Sequence, residues 1–219
     1  MNWSDDPHAQ GRLVTRGPAP AAAAAAVVAV HGRGASPESI LALASPLGLP
    51  SVHWAAPEAA GNSWYPCSFL EKIALNEPGL TSGLGRIDTI LTELAGAGLP
   101  AAKTMLLGFS QGACLALEYA ARHPGRFAAV AGLSGGLVGP DGTDRNYPGS
   151  LDGIPVFIGC SDVDPHIPLA RLRETERVFR RLGASVILRL YPGFGHGVND
   201  DELEELRAML LALTGQRSG

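Results

Sequence analysis

Ser110 stands in Gly108-Phe109-Ser110-Gln111-Gly112, a G-x-S-x-G pattern that follows the apolar run 104–107 and leads straight into Ala113-Cys114-Leu115-Ala116-Leu117-Glu118. A hydroxyl attacks a carbonyl only when a base takes its proton, a third group orients that base, and donors stabilise the oxyanion. Downstream the chain supplies Asp162-Val163-Asp164-Pro165 and then Gly195-His196-Gly197. Serine, carboxylate and imidazole in that order make the parts of an acyl-transfer site, with Ser110 as nucleophile and His196 as base. Asp164 is favoured as the acid because Pro165 holds it extended and fixes the turn that aims its carboxylate. Asp162 is the alternative, read instead as an Asx turn that steadies the loop.

Six histidines are present. His196 is flanked by glycines and follows Tyr191-Pro192-Gly193-Phe194, which puts it on a loop rather than an apolar face. His8 and His123 read as surface residues. His53 and His166 are near-site candidates that lack the loop setting, and His31 is expected to brace its own turn by hydrogen bonds. The oxyanion donors expected are backbone N–H groups: that of Gln111, next after the nucleophile, and that of Arg33 in His31-Gly32-Arg33-Gly34. The Arg33 guanidinium is expected to face solvent or a carboxylate, the other option being an acidic part of a substrate. There is no H-E-x-x-H, no paired-cysteine motif and no G-x-x-x-x-G-K-[ST], so neither a metal nor another cofactor is expected.

These groups need a scaffold that brings three distant loops to one edge. Apolar runs at 27–30, 52–55, 104–107, 127–133, 155–160 and 185–191 read as strands. Helical patterns lie between or after them at 36–47, 81–97, 113–123, 168–182 and 200–213, several with apolar residues at 3,4 spacing. Alternating strands and helices with continuously apolar strands predict an α/β fold: a mostly parallel sheet with helices on both faces. In such a sheet, functional loops gather at the carboxyl ends of the strands, where Ser110, Asp164 and His196 all fall. The segment 57–78, rich in Gly, Pro and aromatics, is long enough to be a functional loop. Residues 1–18 read as an extended or poorly ordered lead-in with Leu13-Val14-Thr15 as an edge strand, and the whole of 1–219 as one domain.

Composition narrows the function. Charged residues make up 17% of the chain and the net charge is −4 with no basic cluster, which argues against nucleic acid and anionic membrane surfaces. The three cysteines are widely spaced and odd in number, so no disulfide framework is implied; Cys114 and Cys160 read as buried and Cys67 as accessible. The acidic start lacks the basic region of a signal peptide, and the run 19–30 is too short to span a bilayer, so a cytoplasmic location without stable membrane insertion is expected.

With V-H-G-R-G, G-F-S-Q-G-A, D-x-D-P-H-I-P and G-H-G in place, the chain resembles the phospholipase/carboxylesterase family of α/β-hydrolases across 27–213. The resemblance implies the α/β-hydrolase fold without a large cap domain, Ser110 as nucleophile, Asp164 as acid, His196 as base, and Arg33 and Gln111 as oxyanion residues. Eukaryotic thioesterases of the family have an apolar residue where Arg33 stands, so a bacterial-esterase-like activity is the expectation rather than palmitoyl-protein cleavage. The chain also resembles dienelactone hydrolases in size and topology, but those use a cysteine nucleophile. Expected substrates are small esters with short or medium acyl chains, with thioesters and lysophospholipids as variants. Trp64 and Tyr65 are expected to wall the substrate pocket. A non-catalytic ligand-binding member of the fold and a peptidase are the rival readings. A homodimer through an exposed helix or sheet edge fits the fold by analogy.

Overall fold

The computed structural model describes residues 5–215, so of the acidic start Asp5 and Asp6 are described and residues 1–4 lie outside the described residues. One seven-stranded sheet organises the chain. Its strands are β1 (Leu13–Arg16), β2 (Ala25–Val30), β3 (Val52–Pro57), β4 (Thr104–Phe109), β5 (Ala129–Leu133), β6 (Pro155–Ser161) and β7 (Ser185–Tyr191). They lie in the order β1-β3-β2-β4-β5-β6-β7, with β1 antiparallel to β3 and every other neighbouring pair parallel. This is the α/β-hydrolase arrangement the sequence predicts.

The helices are α1 (Pro37–Leu41), α2 (Ala44–Leu47), α3 (Gly79–Gly96), α4 (Gln111–Arg122), α5 (Leu169–Arg181) and α6 (Asp200–Thr214). Period-two alternation along the buried strands divides them between two cores. Val27, Ala29, Met105 and Leu107 pack with Ile40, Leu47, Leu206 and Leu210 from α1, α2 and α6. Val28, Val30 and Leu106 pack on the opposite face with Leu84, Leu115, Leu172 and Phe179 from α3, α4 and α5. Both faces are thereby removed from water, which is why the strands are apolar on both sides.

Two expectations need correcting. The helix predicted over 36–47 is split into α1 and α2, because Pro46 has no N–H to give the Ala42 carbonyl, which accepts instead from Ser45 at 3.3 Å. The lead-in is extended only at its edge strand β1, as expected there. Ahead of β1 it forms a turn packed on the body of the protein, and His8, read as a surface residue, is fully buried. Its partners are distant in sequence: the His8 N–H donates to Ser82 Oγ on α3 at 2.9 Å, and the Arg12 carbonyl accepts from Glu58 N–H at 2.9 Å.

The last helix begins with a reciprocal cap. Asn199 Oδ1 accepts from Glu202 N–H and Glu202 Oε2 accepts from Asn199 N–H, both at 2.9 Å. The other carboxyl oxygen of Glu202 is buried without a hydrogen-bond partner and faces Gly159 so closely that a Cβ there would lie 2.2 Å away. Burial pushes the Glu202 carboxyl up to about 7, against the lowering effect of the Asn199 N–H. A carboxyl raised in the folded state contributes stability below its unfolded value, near 4.3, and loses it as pH rises through about 7. Thermal unfolding should therefore show Glu202→Gln gaining a few degrees on the parent at pH 8 and little at pH 5. A pH-independent difference between the two proteins would refute this account.

Candidate active site

Strand β4 turns into α4 at Ser110, whose φ of 55° and ψ of −119° are rare for a residue with a side chain. The turn is tight because backbones crowd it. A Cβ on Gly108 would lie 2.2 Å from Gly112 O, and one on Gly112 would lie 2.1 Å from Val30 O. Ser110 N–H donates to Leu133 O at 2.9 Å and its carbonyl accepts from Cys114 N–H at 3.0 Å, tying the corner to β5 and to the first turn of α4. Neighbouring main chain thus holds the strained conformation, leaving the hydroxyl at the head of a helix whose positive end favours developing negative charge.

The loops after β6 and β7 bring Asp164 and His196 to the same corner. His196 Nε2 lies 2.9 Å from Ser110 Oγ, and His196 Nδ1 lies 2.7 Å from Asp164 Oδ2. With Nδ1–H donating to the carboxylate, Nε2 is free to accept from the serine O–H. The Asp164 side chain is fully buried, and its second oxygen accepts from His166 N–H at 2.8 Å and Ile167 N–H at 3.1 Å. Burial alone would raise this carboxyl, but the hydrogen bond to His196 and the two backbone donors outweigh it and hold it below its usual value.

Asp162 is not in this line. Its carboxylate accepts from Gly193 N–H at 2.9 Å, bracing the loop that carries His196 rather than forming an Asx turn on its own loop. Ser161, which the motif reading passed over, does similar work: its Oγ accepts from Val163 N–H at 3.2 Å and Gly195 N–H at 3.0 Å. Only the position of Ser161 at the carboxyl end of a strand pointed to it.

Beside the serine a cleft of about 520 Å³ opens, lined by Arg33, Tyr65, Phe69, Phe109, Gln111 and Ile167 among others. Gln111 is the first residue of α4, so its N–H has no acceptor within the helix. Its side chain is occupied: Oε1 accepts from Trp64 N–H at 2.9 Å and Nε2 donates to Tyr65 O at 2.8 Å. The Arg33 residue is exposed, as the sequence reading allows, but its guanidinium meets no carboxylate. It donates to Ser63 Oγ and Pro66 O at 3.0 Å and to Cys67 O at 2.6 Å, clamping the loop that forms one wall. Polar acceptors on a chain segment thirty residues away displace any need for a charged partner.

Tyr65 lines the cleft; Trp64 does not. Trp64 is fully buried behind the wall, its indole N–H donating to His31 O at 2.9 Å, so it anchors the loop instead of meeting substrate. His31 braces its turn, with Nδ1 on Gly32 O at 2.8 Å and Nε2 accepting from Ala59 N–H at 3.1 Å. His166 reaches the cleft and meets the His196 ring edge to face, with centroids 4.9 Å apart, whereas His53 bonds Pro18 O at 2.8 Å and lies outside the cleft lining. Among the described residues, no group of three or more His, Cys, Asp or Glu is placed to hold a metal ion, and no helix is long and apolar enough to cross a membrane.

The phospholipase/carboxylesterase family profile matches residues 17–213. A phospholipase/carboxylesterase from Dyadobacter fermentans is 35% identical and superimposes with a TM-score of 0.88, covering 92% of this chain and 97% of that one. Acyl-protein thioesterase 1 of Yarrowia lipolytica is 25% identical over 86% of this chain and 92% of its own. Acyl-protein thioesterase 1 of Saccharomyces cerevisiae is 25% identical over 62% of this chain, a match that spans 61% of the yeast protein's length. A family match over most of the sequence, joined to the elbow at Ser110 and the parallel sheet beneath it, makes this chain a member of the phospholipase/carboxylesterase family of α/β-hydrolases.

Proposed function

We propose that the protein is a carboxylic ester hydrolase in which Ser110 is the nucleophile, His196 the general base and Asp164 its orienting acid. The observation that carries this reading is the unbroken line from Ser110 Oγ to His196 Nε2, 2.9 Å, and from His196 Nδ1 to Asp164 Oδ2, 2.7 Å. His196 takes the serine proton as Oγ attacks the ester carbonyl, and buried, charged Asp164 stabilises the imidazolium. The backbone N–H groups of Arg33 and Gln111 receive the oxyanion, each worth about 3 kcal/mol in the transition state. The imidazolium gives its proton to the departing alcohol, and a water activated by His196 then frees the acid from Ser110. A thioester follows the same course with a thiol leaving.

The preferred substrates are small esters with short or medium acyl chains. The cleft is open and largely apolar, walled by Tyr65 and Phe69, and Arg33 ties that wall down at three points. A pinned wall resists the widening that a long acyl chain requires. A cytoplasmic setting suits the free cysteines Cys67, Cys114 and Cys160.

Hydrolysis of p-nitrophenyl acetate, butyrate, octanoate and palmitate should be fastest on the shorter esters. Ser110→Ala should lose at least about 10³-fold in turnover while unfolding like the parent. Undiminished turnover in that variant would end the proposal, and a preference for palmitate would end the acyl-length part of it. Asp164→Asn should lower kcat by about 10³- to 10⁴-fold and Asp162→Asn by about tenfold or less, since only the former touches the base. Equal losses in the two variants would contradict the assignment of the acid.

A further inference from the structure

We propose that His8, which lies upstream of the stretch matching the family, is a positioning residue for the oxyanion side of the site; this rests on the reading of Arg33 and Gln111 as oxyanion donors. The segment bearing His8 is fixed to α3. Ser82 Oγ accepts from His8 N–H at 2.9 Å and lies 2.5 Å from Asp6 Oδ1, and Arg86 donates to Gly11 O at 3.1 Å. From that anchorage the ring spans the loop after β3: Nε2 lies 2.9 Å from Trp64 O, and Nδ1 accepts from Ala60 N–H at 3.0 Å. Both contacts are hydrogen bonds only in the neutral tautomer carrying its proton on Nε2.

The Trp64 peptide is the link to the site. Its carbonyl is held by His8, and its N–H donates to the side chain of Gln111 at 2.9 Å. Two residues earlier, Asn62 O accepts from Gly34 N–H at 2.7 Å, beside Arg33. One short loop therefore touches both oxyanion residues, and His8 grips that loop from outside. His31 grips it from within: the two imidazoles flank the Trp64 ring with centroids 5.0 and 5.2 Å away, and they accept the consecutive N–H groups of Ala60 and Ala59. Burial lowers the pKa of both rings, which keeps them neutral. The charged and titratable groups near them are Asp6 and His31 for His8, and Glu58 and Glu38 for His31. An oxyanion donor acts only when placed within a few tenths of an ångström, so freeing the loop should cost transition-state stabilisation more than substrate binding.

The test compares parent, Ser110→Ala, His8→Ala and His8→Gln on p-nitrophenyl butyrate at pH 8, with inhibition by butylboronic acid, which forms a tetrahedral serine adduct, and near-ultraviolet circular dichroism to verify folding. His8→Ala should lower kcat about tenfold, leave KM within about twofold, and weaken the boronate by about the factor lost in kcat. His8→Gln, whose amide can both donate and accept, should recover most of the loss. Should His8→Ala not fold, Ala60→Pro removes just the N–H that His8 accepts, at a site whose preceding residue is already extended (ψ 141°), and should lower kcat likewise. A folded His8→Ala or Ala60→Pro with the parent's kcat and boronate affinity, or one that loses activity through KM alone, overturns the proposal. A parent inert toward both ester and boronate overturns the ester-hydrolase reading itself, and this proposal with it.

Discussion

Backbone crowding at the β4–α4 corner is the constraint on which the rest of the site depends. Gly108 faces Gly112, and Gly112 faces the carbonyl of Val30 on the neighbouring strand, at separations where any Cβ would overlap main chain. That closeness lets β2, β4 and the start of α4 meet, and it keeps Ser110 at a positive φ that an isolated turn would relax. The strain lies in the backbone of Ser110, whose side chain must stand clear of the sheet. The stabilisation that offsets it comes from the two cores on either face of the strands.

Around this corner the polar groups are arranged in layers of support. Asp164 spends one oxygen on two backbone donors and the other on His196, so its charge is solvated by the protein rather than by water. Asp162 and Ser161 fasten the His196 loop at Gly193 and Gly195. On the opposite side, Arg33 and Gln111 bind the 63–67 loop through their side chains while their backbone N–H groups are assigned to the oxyanion. In the proposed mechanism these residues serve twice, so that the wall of the cleft and the oxyanion donors form one assembly.

This economy explains why an arginine in the H-G-R-G turn need not meet an anionic substrate. Five N–H donors in a planar fork satisfy several carbonyls at once, and the 63–67 loop offers two carbonyls and a hydroxyl. The same reasoning accounts for Trp64. Its indole is large enough to fill the space between His8 and His31, and its N–H finds a buried carbonyl, so it stabilises the loop from behind and leaves Tyr65 to face the cleft.

The sequence by itself determined what local pattern controls. Apolar periodicity set the strands and helices to within a few residues, glycine spacing marked the elbow, and the position of Asp164 and His196 just beyond strand ends put them on the edge where Ser110 stands, because parallel strands share their carboxyl ends. Pro46 was visible too, although its effect on the helix depended on the Ala42 carbonyl taking the Ser45 N–H instead. Only the tertiary structure decided the matters settled by distant partners. Arg33 finds acceptors about thirty residues on, His8 finds Ala60 and Trp64 more than fifty residues on, and Asp162 finds Gly193 thirty-one residues on. No local spacing encodes such contacts: Arg33 and Asp162 stay exposed yet find their partners across the fold, and for buried His8 the loss of water makes the pairing obligatory.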